Sequence, residues 1–318
     1  MKAIGAGNKD LENPALPAAA IKEEARRLGF DSCGISRAEA LPEDAARLQK
    51  WLDHGYHASM AYMERNTRKR VDPTRLFEGA RSVISVLLNY YPPGTQADPE
   101  APVLAKYAYG KDYHVVVREK LNRLLRSITS GIAPVRGRVF VDTAPLLEKA
   151  WAARAGLGWI GKNTCLISPE RGSFCFIGTI LVDIPLQCDS PVDDLCGDCT
   201  LCIDACPAKA LVAPRTLDAG RCISYWTVEN KTAVGEAFGD RLANRVFGCD
   251  ICQDVCPWNR RAVPHCEKDF DAPAGLLKMT REDWFNLNEE QYWRLFQHSA
   301  VKRIGFEGLK RNLDRIAE

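Results

Sequence analysis

The residues best suited to chemistry in this chain are cysteines in two short stretches. The first stretch is CGDCTLCIDACP, with Cys196, Cys199, Cys202 and Cys206 followed by a proline. The spacing C-x2-C-x2-C-x3-C-P is the run that holds 4Fe–4S clusters in bacterial ferredoxins. Three closely spaced thiolates wrap one iron–sulfur cube, while the fourth thiolate is directed to another cube. The spacing therefore predicts two 4Fe–4S clusters.

The second stretch supplies an incomplete version of the same run. It reads CDICQDVCPW and contains Cys249, Cys252 and Cys256. Val246 stands where the ferredoxin run would have its first cysteine, so the second cluster needs one thiolate from elsewhere. Cys222 lies between the two stretches and is favoured for that place, with Cys188 and Cys266 as its competitors.

The number of cysteines also favours metal or redox chemistry. The chain has 13 cysteines, and clustered cysteines in an intracellular protein indicate metal binding more often than disulfides. A pair of zinc sites is the alternative, but zinc sites are built from separate C-x2-C pairs with a longer gap. Because clusters transfer single electrons, we expect a reaction centre elsewhere. Cys33, Cys165 and Cys175 lie in apolar contexts and are predicted to pack in the core.

Length and composition describe an ordinary globular protein. The 318 residues are 46% hydrophobic and carry a formal net charge of +2, which points to no acidic partner. The N-terminal residues lack the apolar segment of a secretory signal, and no stretch approaches the ~20 apolar residues of a spanning helix. These features predict a cytoplasmic protein that does not enter a membrane.

The elements that must position the cysteines alternate between strands and helices. Apolar patterns predict strands at 82–88, 139–141 and 174–182, and helices near 117–128 and 145–155. This order predicts an α+β protein with a mixed α/β core. We expect a core domain over residues 1–185, a ferredoxin-like two-cluster domain over 186–266 and a short helical segment over 267–318, where Thr280 and Asp283 form a capping box.

Two features of the core region have both a chemical and a structural interpretation. Asp142 follows a predicted strand and precedes a helix, where open α/β sheets place their sites, although it could equally cap that helix. The stretch GLGWIGK has the form G-x-G-x-x-G, but it follows a helix instead of a strand, which argues against nucleotide binding. We predict a tight loop that places Lys162 and Asn163.

Taken together, these motifs resemble the epoxyqueuosine reductase family. The resemblance covers most of residues 20–260 and is most specific in VDTAPLLEKAWAARAGLGWIGKN, at 141–163. It also rests on YMERNTRKRVDP, KYAYGKDYH, RCISYWTVENK and GCDICQDVCPWN. The family implies a cobalamin-dependent enzyme that reduces the epoxide of epoxyqueuosine to queuosine at the wobble position of tRNA. It also implies a cobalamin domain similar to that of reductive dehalogenases.

The resemblance further implies roles for particular residues. One cluster would be held by Cys196, Cys199, Cys202 and Cys256, and the other by Cys206, Cys222, Cys249 and Cys252. Asp142 would be the acid that protonates the alkoxide formed when the epoxide opens. Its ordinary pKa is about 3.9, so burial would have to raise it for this role. Residues beside the cofactors would be Arg65, Lys162, Asn163, Ser224 and Asp250.

The expected partners are a tRNA carrying epoxyqueuosine and a low-potential electron donor, and we expect a monomer. Residues 118–138 and 301–318 are rich in Arg and Lys, as an RNA surface requires. Longer family members continue into HEAT-like repeats, which we expect this chain to lack. The rival interpretations are a reductive dehalogenase and a ferredoxin-type electron-transfer protein. The second would leave more than 180 residues before Cys196 without a role.

Overall fold

The computed structural model describes residues 15–232 and 241–317. Residues 1–14, where the sequence predicts no secretory signal, lie outside the described residues. The helices are α1 (Ala15–Arg27), α2 (Pro42–Asp53), α3 (Thr67–Arg70), α4 (Tyr113–Ser127), α5 (Glu148–Arg154), α6 (Leu201–Asp204), α7 (Ile251–Asp254), α8 (Arg281–Phe285), α9 (Glu289–Phe296) and α10 (Gly305–Ala317). The strands are β1 (Ser32–Arg37), β2 (Ser82–Asn89), β3 (Val103–Leu104), β4 (Gly137–Phe140), β5 (Trp159–Ile160), β6 (Leu166–Ile167), β7 (Cys175–Val182), β8 (Leu211–Ala213), β9 (Thr216–Leu217) and β10 (Arg245–Phe247).

The central sheet has the strand order β1-β2-β7-β4, and every neighbouring pair is antiparallel. The strands and helices predicted for the core are present, and the mixed α+β fold class is confirmed. Asp142 was selected from the sequence on the assumption of an open α/β sheet, whereas the observed sheet is antiparallel. Asp142 does follow β4, but the rule for parallel sheets does not explain its place.

The sheet is buried on both faces, which explains why its central strand reads as a continuous apolar run. All eight residues of β2 are buried. Helices α1 and α4 pack on one face and α5 on the other. Gly178 of β7 permits the close approach of α4, because a Cβ atom there would lie 2.9 Å from side-chain carbons of Leu121 and Val117. A sheet covered in this way is a rigid support for the loops at its edge.

The C-terminal part packs against the core by its own apolar cluster. Buried side chains of the tail, among them Trp284, Tyr292 and Leu309, share this cluster with Leu104 of β3 and Phe247 of β10. The predicted capping box is confirmed, since Thr280 and Asp283 bond reciprocally at the start of α8. The division at residues 185 and 266 stays a prediction. Within 15–232 and 241–317, no helix has both the length and the apolar character that a membrane crossing demands.

Candidate functional site

A cavity of about 610 Å³, hereafter the large cavity, lies beside the central sheet. Its wall combines aromatic rings with charged groups, namely Tyr62, Tyr90, Tyr107, Tyr113, Phe176, Arg70, Lys149, Asp142 and Glu148. Volumes of several hundred Å³ with mainly apolar walls and a few polar groups are typical of cofactor and substrate sites. The cavity therefore has the character of a binding site.

Asp142 stands at the edge of this cavity in an uncommon backbone conformation. Its φ of 54° lies in the left-handed region, which only a small fraction of non-glycine residues adopt. The side chain is 63% exposed, and its Oδ2 accepts a 2.6 Å hydrogen bond from the Tyr113 hydroxyl. His114 Nε2 lies 3.5 Å from the same oxygen. The carboxylate is thus open to a ligand and held by two groups of α4.

The surroundings of Asp142 and His114 shift the pKa values of these two residues in opposite directions. The hydrogen bonds with His114 and Tyr113 outweigh partial burial and lower the pKa of Asp142. Burial alone would lower the pKa of His114, but its hydrogen bonds to Asp112 and Asp142 raise that pKa to about 9. At neutral pH the proton of the pair therefore sits on His114, and the raised pKa that a lone Asp142 would need as an acid is not found.

Glu148, at the start of α5, is a second carboxyl group of this site that sequence reasoning missed. Its Oε2 accepts a 2.6 Å hydrogen bond from the backbone N–H of Asp142. Burial, reinforced by the charge of Asp142, raises the pKa of Glu148 to about 8. The two carboxyl groups are thus in opposite protonation states at pH 7. The one available signal was the position of Glu148 inside the family-specific segment 141–163.

The RNTRKR segment contributes one buried and several exposed cations. Arg65, predicted to approach the cofactor, is exposed and does not belong to the cavity wall. Arg70 is buried, lines the cavity and donates a 2.7 Å hydrogen bond to the Tyr62 carbonyl. Its Nε has no hydrogen-bond partner in the described structure. Arg70 was not selected from the sequence because a basic run is usually a solvated surface.

The structure brings the first predicted set of four cysteines together. Cys196, Cys199 and Cys202 line a cavity of about 260 Å³, and Cys256 completes its wall from the second stretch. Trp258 and Leu195 close other sides of this cavity. Among the described residues, no group of three or more His, Cys, Asp or Glu side chains closes around a single metal ion. The four cysteines line one cavity, which is compatible with ligands of one iron–sulfur cube.

The second predicted set is assembled from three separate segments. The thiols of Cys206 and Cys249 each lie close enough to Cys222 to interact electrostatically, and Cys252 interacts with both Cys222 and Cys249. Helices α6 and α7, which carry the middle cysteines of the two stretches, contact each other. Cys188, a competitor for the fourth place, is exposed and has Asp189, Arg37 and Glu39 as its charged neighbours. The neighbours of Cys222 favour it over Cys188.

Hydrogen-bond donors point at several of these sulfurs. Trp159 Nε1 donates to Cys196 Sγ at 3.3 Å, and the Ala210 N–H donates to Cys206 Sγ at 3.3 Å. Backbone N–H groups also reach Cys222 and Cys256. Donors of this kind stabilise thiolates and tune the potential of a cluster bound to them. The loops are therefore suited to hold thiolate ligands.

Lys162 and Asn163, which the resemblance placed beside the cofactors, contact the cysteine loops and are not among the residues that line the large cavity. Lys162 Nζ donates to the carbonyls of Gly197 and Cys199, at 2.6 and 2.9 Å. Asn163 is buried and donates to the Cys252 carbonyl at 3.2 Å. The loop reaches both stretches because Gly158 passes close to β6, where a Cβ atom would lie 2.1 Å from a backbone oxygen.

Ser224 and Asp250 likewise lie beside cysteines. The Ser224 backbone and hydroxyl both interact with Cys222. Asp250 is buried, and its Oδ2 accepts a 2.7 Å bond from the Lys106 N–H, which ties the second stretch to the KYAYGKDYH segment. Of the cysteines predicted to pack in the core, Cys165 contacts Cys252 and Cys175 lines the large cavity.

The second cysteine stretch also contacts the wall of the large cavity. Gln253 Nε2 donates to the Tyr90 hydroxyl at 3.3 Å. A Cβ atom on Gly248 would lie 3.1 Å from a ring carbon of Tyr107. Both tyrosines line the cavity. Residues adjacent in sequence to Cys249 and Cys252 therefore contact the wall of the cavity.

Comparison with known proteins identifies two family models along the chain. The model described as "Epoxyqueuosine reductase QueG, DUF1730" matches residues 70–143. The model described as "4Fe-4S double cluster binding domain" matches residues 195–259. The first match ends one residue beyond Asp142, and the second contains all eight predicted cluster cysteines.

Curated relatives match nearly the whole chain. An epoxyqueuosine reductase of Cellulophaga algicola is 51% identical over 92% of this chain and 96% of its own length. One of Pseudomonas aeruginosa is 43% identical over 97% of this chain and 87% of its own length. Among solved structures, an epoxyqueuosine reductase crystallised with an epoxyqueuosine-modified tRNA stem loop is 32% identical, with a TM-score of 0.87 over 94% of this chain and 80% of that chain. The enzyme of Streptococcus thermophilus is 28% identical, with a TM-score of 0.84 over the same shares of the two chains.

Proposed function

This chain belongs to the epoxyqueuosine reductase family and is an oxidoreductase, and from that premise we propose that it converts epoxyqueuosine at the tRNA wobble position into queuosine. The reaction consumes two electrons and two protons, releases the epoxide oxygen as water and leaves an alkene. One observation carries the proposal. Asp142 lies at the edge of a cavity whose wall also contacts the second cysteine stretch, so a proton source and an electron source meet there.

We assign one 4Fe–4S cluster to Cys196, Cys199, Cys202 and Cys256, and the other to Cys206, Cys222, Cys249 and Cys252. The match of residues 195–259 to a double cluster domain supports two clusters. When bound, the clusters supply electrons one at a time from a low-potential donor. Lys162, Asn163 and Ser224 hold the cysteine loops in place, and Asp250 anchors the second loop to Lys106.

We propose that the large cavity holds cobalamin. One buried polar atom on its wall, Arg70 Nε, has no partner in the described structure and suits the amide and phosphate groups of a corrin cofactor. Aromatic side chains such as Tyr107 and Phe176 offer it apolar surface. When bound, cobalamin supplies a cobalt centre that accumulates reducing power for the epoxide carbon. Arg65 is proposed to contact the cofactor from the exposed edge.

The protons come from the chain's own residues. Asp142 is the group that faces the opening epoxide, and His114 is the group that stores the proton at neutral pH. In the proposed reaction His114 Nε2 passes its proton to Asp142 Oδ2, 3.5 Å away, and Asp142 relays it to the alkoxide oxygen, while the Tyr113 hydroxyl keeps the carboxylate in place. His114 then takes up the second proton from solvent and delivers it by the same route. The pair therefore acts as one acid with a shared proton.

The RNA is proposed to approach across α4. Arg118, Arg123 and Arg126 are exposed on this helix, and Arg118 donates to Thr143 Oγ1, beside Asp142. Exposed guanidinium groups along this helix suit the phosphates of a tRNA stem loop, and Arg118 is the one that lies beside Asp142. The basic surface and the acid are thus next to each other.

The decisive experiment is anaerobic incubation with tRNA containing epoxyqueuosine and a chemical reductant, followed by mass analysis of the nucleosides. We expect queuosine from the wild-type protein and a loss of at least ~100-fold in rate for Asp142→Asn, the lower range for removal of a general acid. Asp314→Asn, at an exposed carboxylate of α10, is the matched control and should retain full activity. A fully active Asp142→Asn enzyme would remove Asp142 from the mechanism.

Cofactor content is tested on the same material. Protein purified anaerobically from cobalamin-fed cells should contain about eight iron atoms and show corrin absorbance. Iron without corrin would contradict the cobalamin assignment and favour an electron-transfer protein. Zinc in place of iron would contradict the cluster assignment.

A further inference from the structure

Glu148 is a half-buried residue of the cavity wall to which the proposed reaction gives no role. Its side chain lines the large cavity, yet its Oε1 has no hydrogen-bond partner within the described residues. The other oxygen, Oε2, accepts the backbone N–H of Asp142 at 2.6 Å. This bond links the start of α5 to the loop that follows β4, six residues earlier in the chain.

The bond matters because of the conformation of Asp142. A φ of 54° is disfavoured for a residue with a Cβ atom and persists only where neighbouring groups hold it. The Asp142 side chain is held by the Tyr113 hydroxyl, and its backbone N–H is held by Glu148. Without Glu148 the N–H would be left with no acceptor, and the loop could return to an ordinary conformation that turns the carboxylate away.

We propose that Glu148 is a positioning residue, which keeps Asp142 in the left-handed conformation that directs its carboxylate to the reacting epoxide. The role rests on the proposed function of Asp142 and deepens it. Glu148 acts through Asp142 and does not itself contact the substrate oxygen. The role requires a carboxyl oxygen of Glu148 that accepts the Asp142 N–H, and it does not require a negative charge on Glu148.

The charge state of Glu148 agrees with this role. The groups that face it are Asp142 and Thr179, with His114 and Tyr113 behind them. Burial, together with the nearby Asp142 carboxylate, raises the pKa of Glu148 to about 8, so the group is neutral at pH 7. In either protonation state Glu148 Oε2 accepts the Asp142 N–H, so the positioning does not depend on the charge of Glu148.

A pair of variants of similar volume separates the acceptor from the charge. Glu148→Gln keeps a carbonyl oxygen for the Asp142 N–H, whereas Glu148→Met fills the space and offers no acceptor. Hydrogen exchange of the peptide containing Asp142 is measured in the cluster-loaded protein. We expect exchange to be about tenfold faster or more in Glu148→Met and near wild type in Glu148→Gln. Glu119→Met, at an exposed position of α4, is the control and should leave this peptide unchanged.

Activity supplies a second readout. Glu148→Gln, which keeps the acceptor, should have a kcat much closer to that of the wild type than Glu148→Met has. Glu148→Met should lower kcat at least tenfold with little change in KM for tRNA. Should Glu148→Met fail to fold, Glu148→Leu, which also offers no acceptor, replaces it in the exchange measurement, and exchange equal to that of the wild type would overturn the proposal.

The outcomes distinguish this inference from the proposed function. If the wild-type protein does not convert epoxyqueuosine, the function is wrong, but the exchange contrast between the two Glu148 variants still tests the positioning. Equal exchange in Glu148→Met and wild type would overturn the inference while leaving the function intact.

Discussion

Replacing Trp159 by Phe should lower the reduction potential of the first cluster. The indole N–H of Trp159 donates to Cys196 Sγ at 3.3 Å, and Trp159 is buried with 4% exposure. A donor stabilises the reduced cluster more than the oxidised one, because the reduced cluster carries one more negative charge. Phe keeps a ring in place and removes the donor, so the change should act on the potential more than on the fold.

The size of the shift follows from the strength of one hydrogen bond. A hydrogen bond to a charged acceptor contributes about 1.5–3 kcal/mol. Only the difference between the two redox states counts, for which we take about 1 kcal/mol. Since about 1.36 kcal/mol is a factor of ten and a factor of ten is about 59 mV for one electron, the expected shift is about 40 mV downward.

The assay is an anaerobic redox titration of the reconstituted protein followed by electron paramagnetic resonance. Trp258→Phe is the matched control, because Trp258 also lines the first cluster cavity and stacks edge-on against Trp159 at 4.9 Å. We expect its shift to be clearly smaller. An unchanged potential in Trp159→Phe, or an equal shift in both variants, would refute the assignment of the N–H···S bond as a determinant of this potential.

Three further predictions concern the second cluster, the RNA surface and the pH dependence of stability. Cys222→Ser should lower the iron content toward about four atoms per chain, whereas Cys188→Ser should leave it unchanged. Charge reversal of Arg123 and Arg126 to Glu should weaken tRNA binding and make it less dependent on salt, by about 0.7 to 0.9 in log–log slope for each phosphate that is no longer neutralised. The free energy of unfolding should fall between about pH 6.5 and pH 9, because the folded state raises the pKa of His114 and binds its proton more tightly than the unfolded chain does.

Each of these has a direct check. Iron analysis of both cysteine variants at equal folded content tests the ligand choice, and equal iron in the two would contradict it. For the RNA surface, Arg26→Glu on the exposed side of α1 is the control and should bind tRNA like the wild type. For stability, denaturant titrations across pH should show a shallower decline in His114→Asn. An identical decline would mean that His114 does not gain its proton on folding.

The cysteine spacing was the feature of the sequence that predicted most about the candidate site. Three of the cysteines proposed to hold one cluster lie within seven residues, so a local sequence pattern predicts them together, and the proline after Cys206 completes a known run. The helices and strands of the core were also predictable, because β2 is apolar throughout and α4 shows helical periodicity. Such signals are local, and local sequence patterns determine local structure.

Contacts between distant segments could not be predicted in the same way. Cys256 reaches the first set of cysteines from more than fifty residues away, and only the packing of α6 against α7 brings it there. The sequence suggested an open α/β sheet, but the observed sheet is antiparallel. Strand pairing depends on which faces of the sheet are covered, and local sequence patterns do not show this. Lys162 and Asn163 contact the cysteine loops because the glycine loop passes close to β6.

The sequence by itself determined which groups exist, namely eight thiols in ferredoxin-like spacing and an aspartate before a helix. Only the tertiary structure decided their protonation states and partners. Asp142 is ionised because His114 and Tyr113 meet it from α4, and Glu148 is neutral because it is buried beside that charge. Both effects arise from distances and solvent exclusion in three dimensions, and a linear order of residues does not contain these quantities.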